Sequence, residues 1–232
     1  MIVAYLSVAA GGFAQSSVGF GLGLVSVSFL VASIGHAAAV ASVLVLSLIA
    51  NLFIVAWERD GLDVRASLGL FAPSAATQLA LFAWIRGIDP TPLTIATGAA
   101  VIVSAIVMGT GVRVRALHGP PGLLIAGALS GVMNLVAGLG GPASVLYATN
   151  AGWHPERWRP TINLYFALNN VLALVLLRAA IPRDGWLYVA AIIGALVGAR
   201  VAARLPGQAV RFGALALSAG GGVLAIASAV AS

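Results

Sequence analysis

The chain is predicted to be an all-α polytopic membrane protein, and three observations carry that expectation. Of its 232 residues, 61% are hydrophobic and only 8% charged, against about 25% charged in an ordinary soluble domain. Too few polar side chains are present to cover a water-facing exterior, so the solvent must be lipid. The apolar stretches are rich in Ala, Leu and Val and run about 20 residues, the length a helix needs to cross a hydrocarbon core of about 30 Å. Lipid admits only helices and closed barrels, and barrel strands would alternate over segments of about ten residues. The charges, finally, sit in short linkers between the apolar stretches.

Cutting at charges, prolines and interfacial tryptophans gives eight apolar segments, at 2–31, 36–57, 66–85, 92–111, 120–151, 159–178, 185–203 and 207–231. The first opens on Met1-Ile2-Val3-Ala4 without the basic start of a signal peptide, so it is expected to stay in the mature protein. The second ends at Trp57 before Glu58-Arg59-Asp60-Gly61. The third follows Asp63, a helix-capping residue type, and stops at Arg86-Gly87-Ile88-Asp89-Pro90. The fourth gives way to Arg113-Val114-Arg115, and the fifth to His154-Pro155-Glu156-Arg157. The sixth ends before Pro182-Arg183-Asp184, where Asp184 is placed to cap the seventh as Asp63 caps the third. Trp57, Trp84, Trp153, Trp158 and Trp186 all fall at segment ends, as an interfacial belt requires.

The eight segments read as one transmembrane domain, 1–232, made of two repeats. Sliding the chain by 119 residues lays Gly12-Phe13-Ala14-Gln15 on Gly131-Val132-Met133-Asn134, Gly19-Phe20-Gly21 on Gly138-Leu139-Gly140, and Asn51 on Asn170. A shift of 121 lays Asp63 on Asp184. The halves are about 1–111 and 119–232, and such duplications place a transporter's substrate site at the repeat interface.

The first segment of each half is too long. At about 30 residues, a straight helix would measure about 45 Å, well beyond the hydrocarbon thickness. Each is interrupted, by Gln15-Ser16-Ser17-Val18-Gly19-Phe20-Gly21-Leu22-Gly23 and by Asn134-Leu135-Val136-Ala137-Gly138-Leu139-Gly140-Gly141-Pro142. Glycine is costly in a helix interior and proline is best tolerated at a helix start. Two half-helices per segment are therefore expected, the second halves starting near Leu22 and Pro142. Arginine placement selects between spanning and re-entrant versions. If all segments cross, the twelve arginines divide six to six. If the broken segments enter and leave on one face, Arg59, Arg65, Arg113, Arg115, Arg157, Arg159, Arg200, Arg204 and Arg211 share a side, leaving Arg86, Arg178 and Arg183 opposite. That asymmetry is the one expected of a cytoplasmic face. It implies inverted repeats, each a re-entrant hairpin followed by three spans.

Irregular backbone at membrane depth must be buried in protein or line a polar cavity. The half-helix starts offer unpaired N–H groups and the positive end of a dipole, which favour an anion. The expected substrate-binding residues are Gln15, Ser16, Ser17, Gly19 and Gly21 at the first break, and Asn134, Gly138, Gly140, Gly141 and Pro142 at the second. Asn51 and Asn170 join them from the following helices. The plainer role for Asn51, Asn163, Asn169 and Asn170 is hydrogen bonding between helices, and Gly127-xxx-Gly131 and Gly194-xxx-Gly198 read as small-residue helix contacts. Other chemistry finds little support. Gly138-Leu139-Gly140-Gly141-Pro142-Ala143 fits a dinucleotide fingerprint without the surrounding βαβ unit. His36, His118 and His154 lack metal-ligand spacing, Ser130 has no intramembrane base to activate it, and no cysteine is present. No catalytic residue, metal site or cofactor is expected. The net charge of +6 is carried entirely by arginine over the acidic residues, in loops where it contacts anionic lipid rather than nucleic acid. No acidic residue lies deep in a segment to couple transport to an ion, leaving protons carried on the substrate, exchange or membrane potential.

Gly19-Phe20-Gly21-Leu22-Gly23, Gly140-Gly141-Pro142-Ala143-Ser144-Val145-Leu146-Tyr147, and Arg157-Trp158-Arg159-Pro160-Thr161-Ile162-Asn163-Leu164-Tyr165 with Asn170 together resemble the TauE/SafE family of sulfite and organosulfonate exporters. The resemblance covers essentially the whole chain, although the first repeat lacks the proline of the second. It implies a multi-pass transporter of the bacterial inner membrane, not an enzyme, that exports sulfite or a small organosulfonate by alternating access. A permease for another small anion or metabolite, or a non-transport membrane scaffold, is the alternative.

Overall fold

The computed structural model describes residues 1–85, 87–111, 118–201 and 207–231. Among these it is all helical: α1 (Ile2–Val18), α2 (Leu22–Ile34), α3 (His36–Trp57), α4 (Val64–Ile85), α5 (Pro90–Thr110), α6 (Gly119–Ala137), α7 (Gly141–Asn150), α8 (Pro155–Leu177), α9 (Gly185–Val201) and α10 (Gly207–Ala231), with a 3-10 turn at Arg59–Gly61. Six of them, α3, α4, α5, α6, α8 and α10, are long and apolar enough to cross a membrane. Large side chains such as Leu52, Phe53, Val103, Ile106 and Ile192 point outward, an exterior suited to lipid rather than water. Trp57, Trp84 and Trp186 are likewise exposed at segment ends, whereas Trp153 and Trp158 turn inward onto Tyr147 and Phe20.

Both over-long segments are broken where the glycines concentrate. α1 stops at Gly19, which adopts φ 85°, and the chain turns through Gly21 at φ 129° before α2 begins at Leu22. α6 stops at Gly138, φ 67°, and α7 begins at Gly141 with Pro142 in its first turn. A side chain at these positive φ values would be strained, so the glycines fix the breaks. α2 then folds back along α1: Ser26 donates to the Ser7 carbonyl, and Gly11 meets Leu22. Residue numbers rise in one helix as they fall in the other, which defines an antiparallel pair. Asp63 and Asp184 cap α4 and α9 as expected, accepting from the backbone N–H of Ala66 and Trp186.

Contacts between the halves fix helix directions. α1 lies parallel to α9, with Tyr5 near Asp184 and Ser17 near Gly198. α6 lies parallel to α4, with Gly127 on Leu70 and Gly131 on Ser74. The α3 and α8 pair is antiparallel, as is α5 with α10, where Gly98 faces Gly222 and Arg211 reaches the Met108 carbonyl. Glycine lets the backbones of α1 and α9, and of α4 and α6, approach closely: Gly194 meets Ala9 and Gly12 meets Ala191, the small-residue packing common in membranes. Following the chain, Arg59, Arg65, Arg157, Arg159, Arg200 and Arg211 gather at one end of the bundle, with Arg178 and Arg183 at the other. Arg86, Arg113, Arg115 and Arg204 lie outside the described residues.

Candidate functional site

The two breaks meet. Gly138 packs on Val43, and the Gly138 carbonyl faces Gly23; Gln15, one turn before the first break, donates to Asn51 at 2.8 Å. Val43 and Asn51 each lie roughly a third of the way in from opposite ends of α3 (His36–Trp57), so the breaks enclose the middle layer of the bundle. Between them is a cavity of about 40 Å³ lined by Gln15, Phe20, Gly21, Gly23, Leu24, Ser47, Asn51, Gly138, Leu139, Gly140, Gly141, Pro142, Phe166 and Asn170. This is far below the roughly 300 Å³ at which drug-sized ligand pockets begin; it suits a ligand of a few heavy atoms. Among the described residues, no ionisable side chain lines it.

The first turns of α2 and α7 both border this cavity, through Gly21, Gly23 and Leu24 and through Gly141 and Pro142. First-turn amides have no partner within their own helix. One of them is already engaged: the Leu22 N–H donates to Gln15 Oε1 at 3.2 Å. Gln15 Nε2 donates to Asn51 Oδ1 and to Asn163 Oδ1 at 3.0 Å. Gln15 thus ties the start of α2 to α3 and α8, and its amide is fully used. Asn163 completes the tie by donating to the Gly19 carbonyl at 3.0 Å. Asn51 Nδ2, by contrast, is buried with no partner, and Asn170 makes no hydrogen bond among the described residues while bordering the cavity. An unpaired buried amide costs about 1–3 kcal/mol, a cost that a ligand accepting from it would offset.

Eight of the twelve expected residues line the cavity: Gln15, Gly21, Asn51, Gly138, Gly140, Gly141, Pro142 and Asn170. The other four stand outside it. Ser16 donates to the Ala195 carbonyl and Ser17 to that of Gly198, both on α9. Gly19 lies under Arg159 and Trp158. Asn134 sits behind Gly140, buried, with neither amide atom paired. Phe20, Gly23, Leu24, Ser47, Leu139 and Phe166 complete the lining and were not among the expected residues. Ser47 and Phe166 lie one helical turn before Asn51 and Asn170, so an i, i+4 search from the two asparagines would have found them.

The two ends of the bundle differ. At the arginine-rich end Arg159 forks onto Glu58 at 2.9 and 3.0 Å and reaches the Ser16 and Ser17 carbonyls at the end of α1. Arg157 pairs with Asp63 at 2.7 Å and lies over the Trp153 ring. Both ion pairs join the first half of the chain to the second. At the other end, the halves are joined by Tyr5 donating to Asp184 at 2.7 Å. There a cavity of about 690 Å³ opens, bordered by Met1, His36, Ala41, Leu135, Arg178 and Arg183 among others.

Residues 4–225 match the family model described as Sulfite exporter TauE/SafE. Neither a curated protein nor a solved structure matches the chain.

Proposed function

Because the chain belongs to the sulfite exporter TauE/SafE family, it is a multi-pass membrane transporter, and we propose that it exports sulfite or a small organosulfonate across the bacterial inner membrane. The observation that carries this reading is the small neutral cavity between the two helix breaks, bordered by Asn51, whose Nδ2 has no partner among the described residues, and by Asn170. Helix N-termini and amide N–H groups suit an oxyanion without a fixed positive charge. Binding of that strength allows release, which a guanidinium would oppose. With no titratable side chain among the described lining residues, protons carried on the substrate, exchange or the membrane potential would supply any coupling.

The transport cycle we propose is alternating access between inverted halves, 1–111 and 119–232. Support comes from equivalent helices that run antiparallel, α3 with α8 and α5 with α10. In this reading the ion pairs Arg159–Glu58 and Arg157–Asp63 close the arginine-rich, cytoplasmic face. The wide cavity at the opposite face is the exit path. A permease for a different small anion would use the same cavity. A scaffold has no use for unpaired amides at mid-depth.

Purified protein in liposomes, loaded in turn with sulfite, sulfoacetate, taurine, sulfate and thiosulfate, tests the proposal. Efflux of sulfite or sulfoacetate above that of protein-free liposomes is expected. No flux of any sulfur compound would sink the substrate assignment.

A further inference from the structure

Behind the proposed anion cavity lies a second polar cluster that the transport reading leaves unused. Ser74 and Gln78 on α4, Ser130 on α6, and Tyr165 and Asn169 on α8 are all fully buried. Ser74 Oγ and Gln78 Nε2 both donate to Asn169 Oδ1, the latter at 2.7 Å. The Tyr165 hydroxyl lies beside Ser130, Ser74 and Asn169. Gln78 Oε1 has no hydrogen-bond partner among the described residues. Polar contacts between membrane helices are common, but this packing does not require them. The repeat shifts of 119 and 121 map Ser130, Tyr165 and Asn169 onto Gly11, Leu46 and Ala50, and Ser74 and Gln78 onto Ala195 and Ala199. At those places Gly11 meets Leu22 and Ser26 of α2, Leu46 and Ala50 lie on α3, and Ala195 and Ala199 lie on α9, none of the five mapped residues bearing a polar side chain.

We infer that this cluster is a binding site for a small monovalent cation, with sodium the ion it fits best. Its side chains converge oxygens, which hard cations take in preference to nitrogen or sulfur. None is a carboxylate, and among the described residues no group of three or more His, Cys, Asp or Glu could hold a metal ion. A neutral cage cannot repay the dehydration of a divalent ion, so a single charge is selected. The side-chain amide of Gln78 can turn over, since its orientation follows its partners. Turned, it sets Oε1 against Asn169 Oδ1, an arrangement that repels unless a cation lies between the two oxygens.

The cluster is also placed to act on the anion. Asn169 precedes Asn170, and Tyr165 precedes Phe166, so consecutive residues of α8 serve the cluster and the cavity. Ser130 lies one turn before Asn134 on α6. A cation in the cluster would lower the cost of an anion in the cavity through the low-dielectric interior, and each ion would favour the other's binding. This coupling rests on the proposed transport reading; the cation site does not.

The test uses the full chain in detergent, without any sulfur anion, and follows thermal unfolding in sodium chloride against N-methyl-D-glucamine chloride at equal ionic strength. Saturating sodium is expected to raise Tm by about 3–5 °C. Ser130→Ala and Gln78→Leu, which remove the polar groups, are each expected to abolish most of that rise. Equal Tm in the two salts would overturn the site, whatever the variants do. So would a sodium effect of full size in both variants. A sodium effect in a protein that moves no sulfur anion would keep the site and reject the proposed substrate.

Discussion

Gln15 and Asn51 show how much single residues reveal before a fold is known. Both are buried polar side chains in an apolar chain, and both belong to the cavity wall, as their repeat-matched positions suggest. Their roles differ, however. Gln15 spends its amide on Leu22, Asn51 and Asn163, while Asn51 keeps Nδ2 unpaired. Residue type cannot tell which way an amide turns, so this division was illegible in the sequence. Ser16 and Ser17 read as part of the site because they are neutral hydrogen-bonding residues in the first broken stretch. In a helix each step turns about 100°, so a chain that points Gln15 at the cavity turns its two neighbours toward α9. Asp63 carries a prediction at this scale. Its carboxylate is held below the ordinary range, first by the Ala66 N–H and then by Arg157. A lowered carboxylate value gives stability that is present above the unfolded pKa of about 4 and is lost as pH falls through the folded value. Asp63→Ala is expected to lower Tm at pH 7 by about 2–4 °C, the loss of one N-cap. That gap should narrow as the pH drops below about 4; a gap independent of pH would rule out the carboxylate's charge as its source.

The breaks are the informative elements. Their positions were legible because excess length and glycine density coincide, and α2 begins at Leu22 as read. The second break falls one residue earlier than the expected Pro142, because proline occupies the first turn rather than its opening residue. What the sequence could not supply is the contact between the breaks, since Gly138 and Gly23 meet only after both hairpins pack on α3. Gly138 has φ 67° and the methyl group of an alanine there would lie 3.1 Å from Val43 Cγ1. Gly138→Ala is therefore expected to destabilise the protein by about 1–2 kcal/mol, seen as a fall in Tm. Gly185, which has open space around it and lies at a helix start, should tolerate alanine with little change. Similar losses at both positions would show that the break is not strained against side chains.

At the scale of the whole molecule, the proposed inverted arrangement rests on two observations, the arginine count and the helix directions. The first used only charges; the second uses contacts such as Arg157 to Asp63 and Gly98 to Gly222. The repeat and its inversion are both read from the sequence, whereas the contacts that pair the halves, such as Arg157 on Asp63, exist only once separate helices pack. Inverted halves predict that the far ends of the two hairpins open on opposite sides. The chain has no cysteine, so single cysteines at Ser33 and Ala151 can be labelled with an impermeant thiol reagent in sealed vesicles. Labelling of the two from opposite sides is expected; labelling of both from the same side would exclude inversion. The central claim, that a sulfur oxyanion is held by amides between the two breaks, is tested most directly by calorimetric titration of sulfite into the purified protein, its Asn170→Leu variant and its Ser17→Ala variant. Loss of a hydrogen bond to a charged group predicts affinity about tenfold to a hundredfold weaker for Asn170→Leu, with Ser17→Ala close to the unaltered chain. Undiminished affinity in Asn170→Leu would contradict the account.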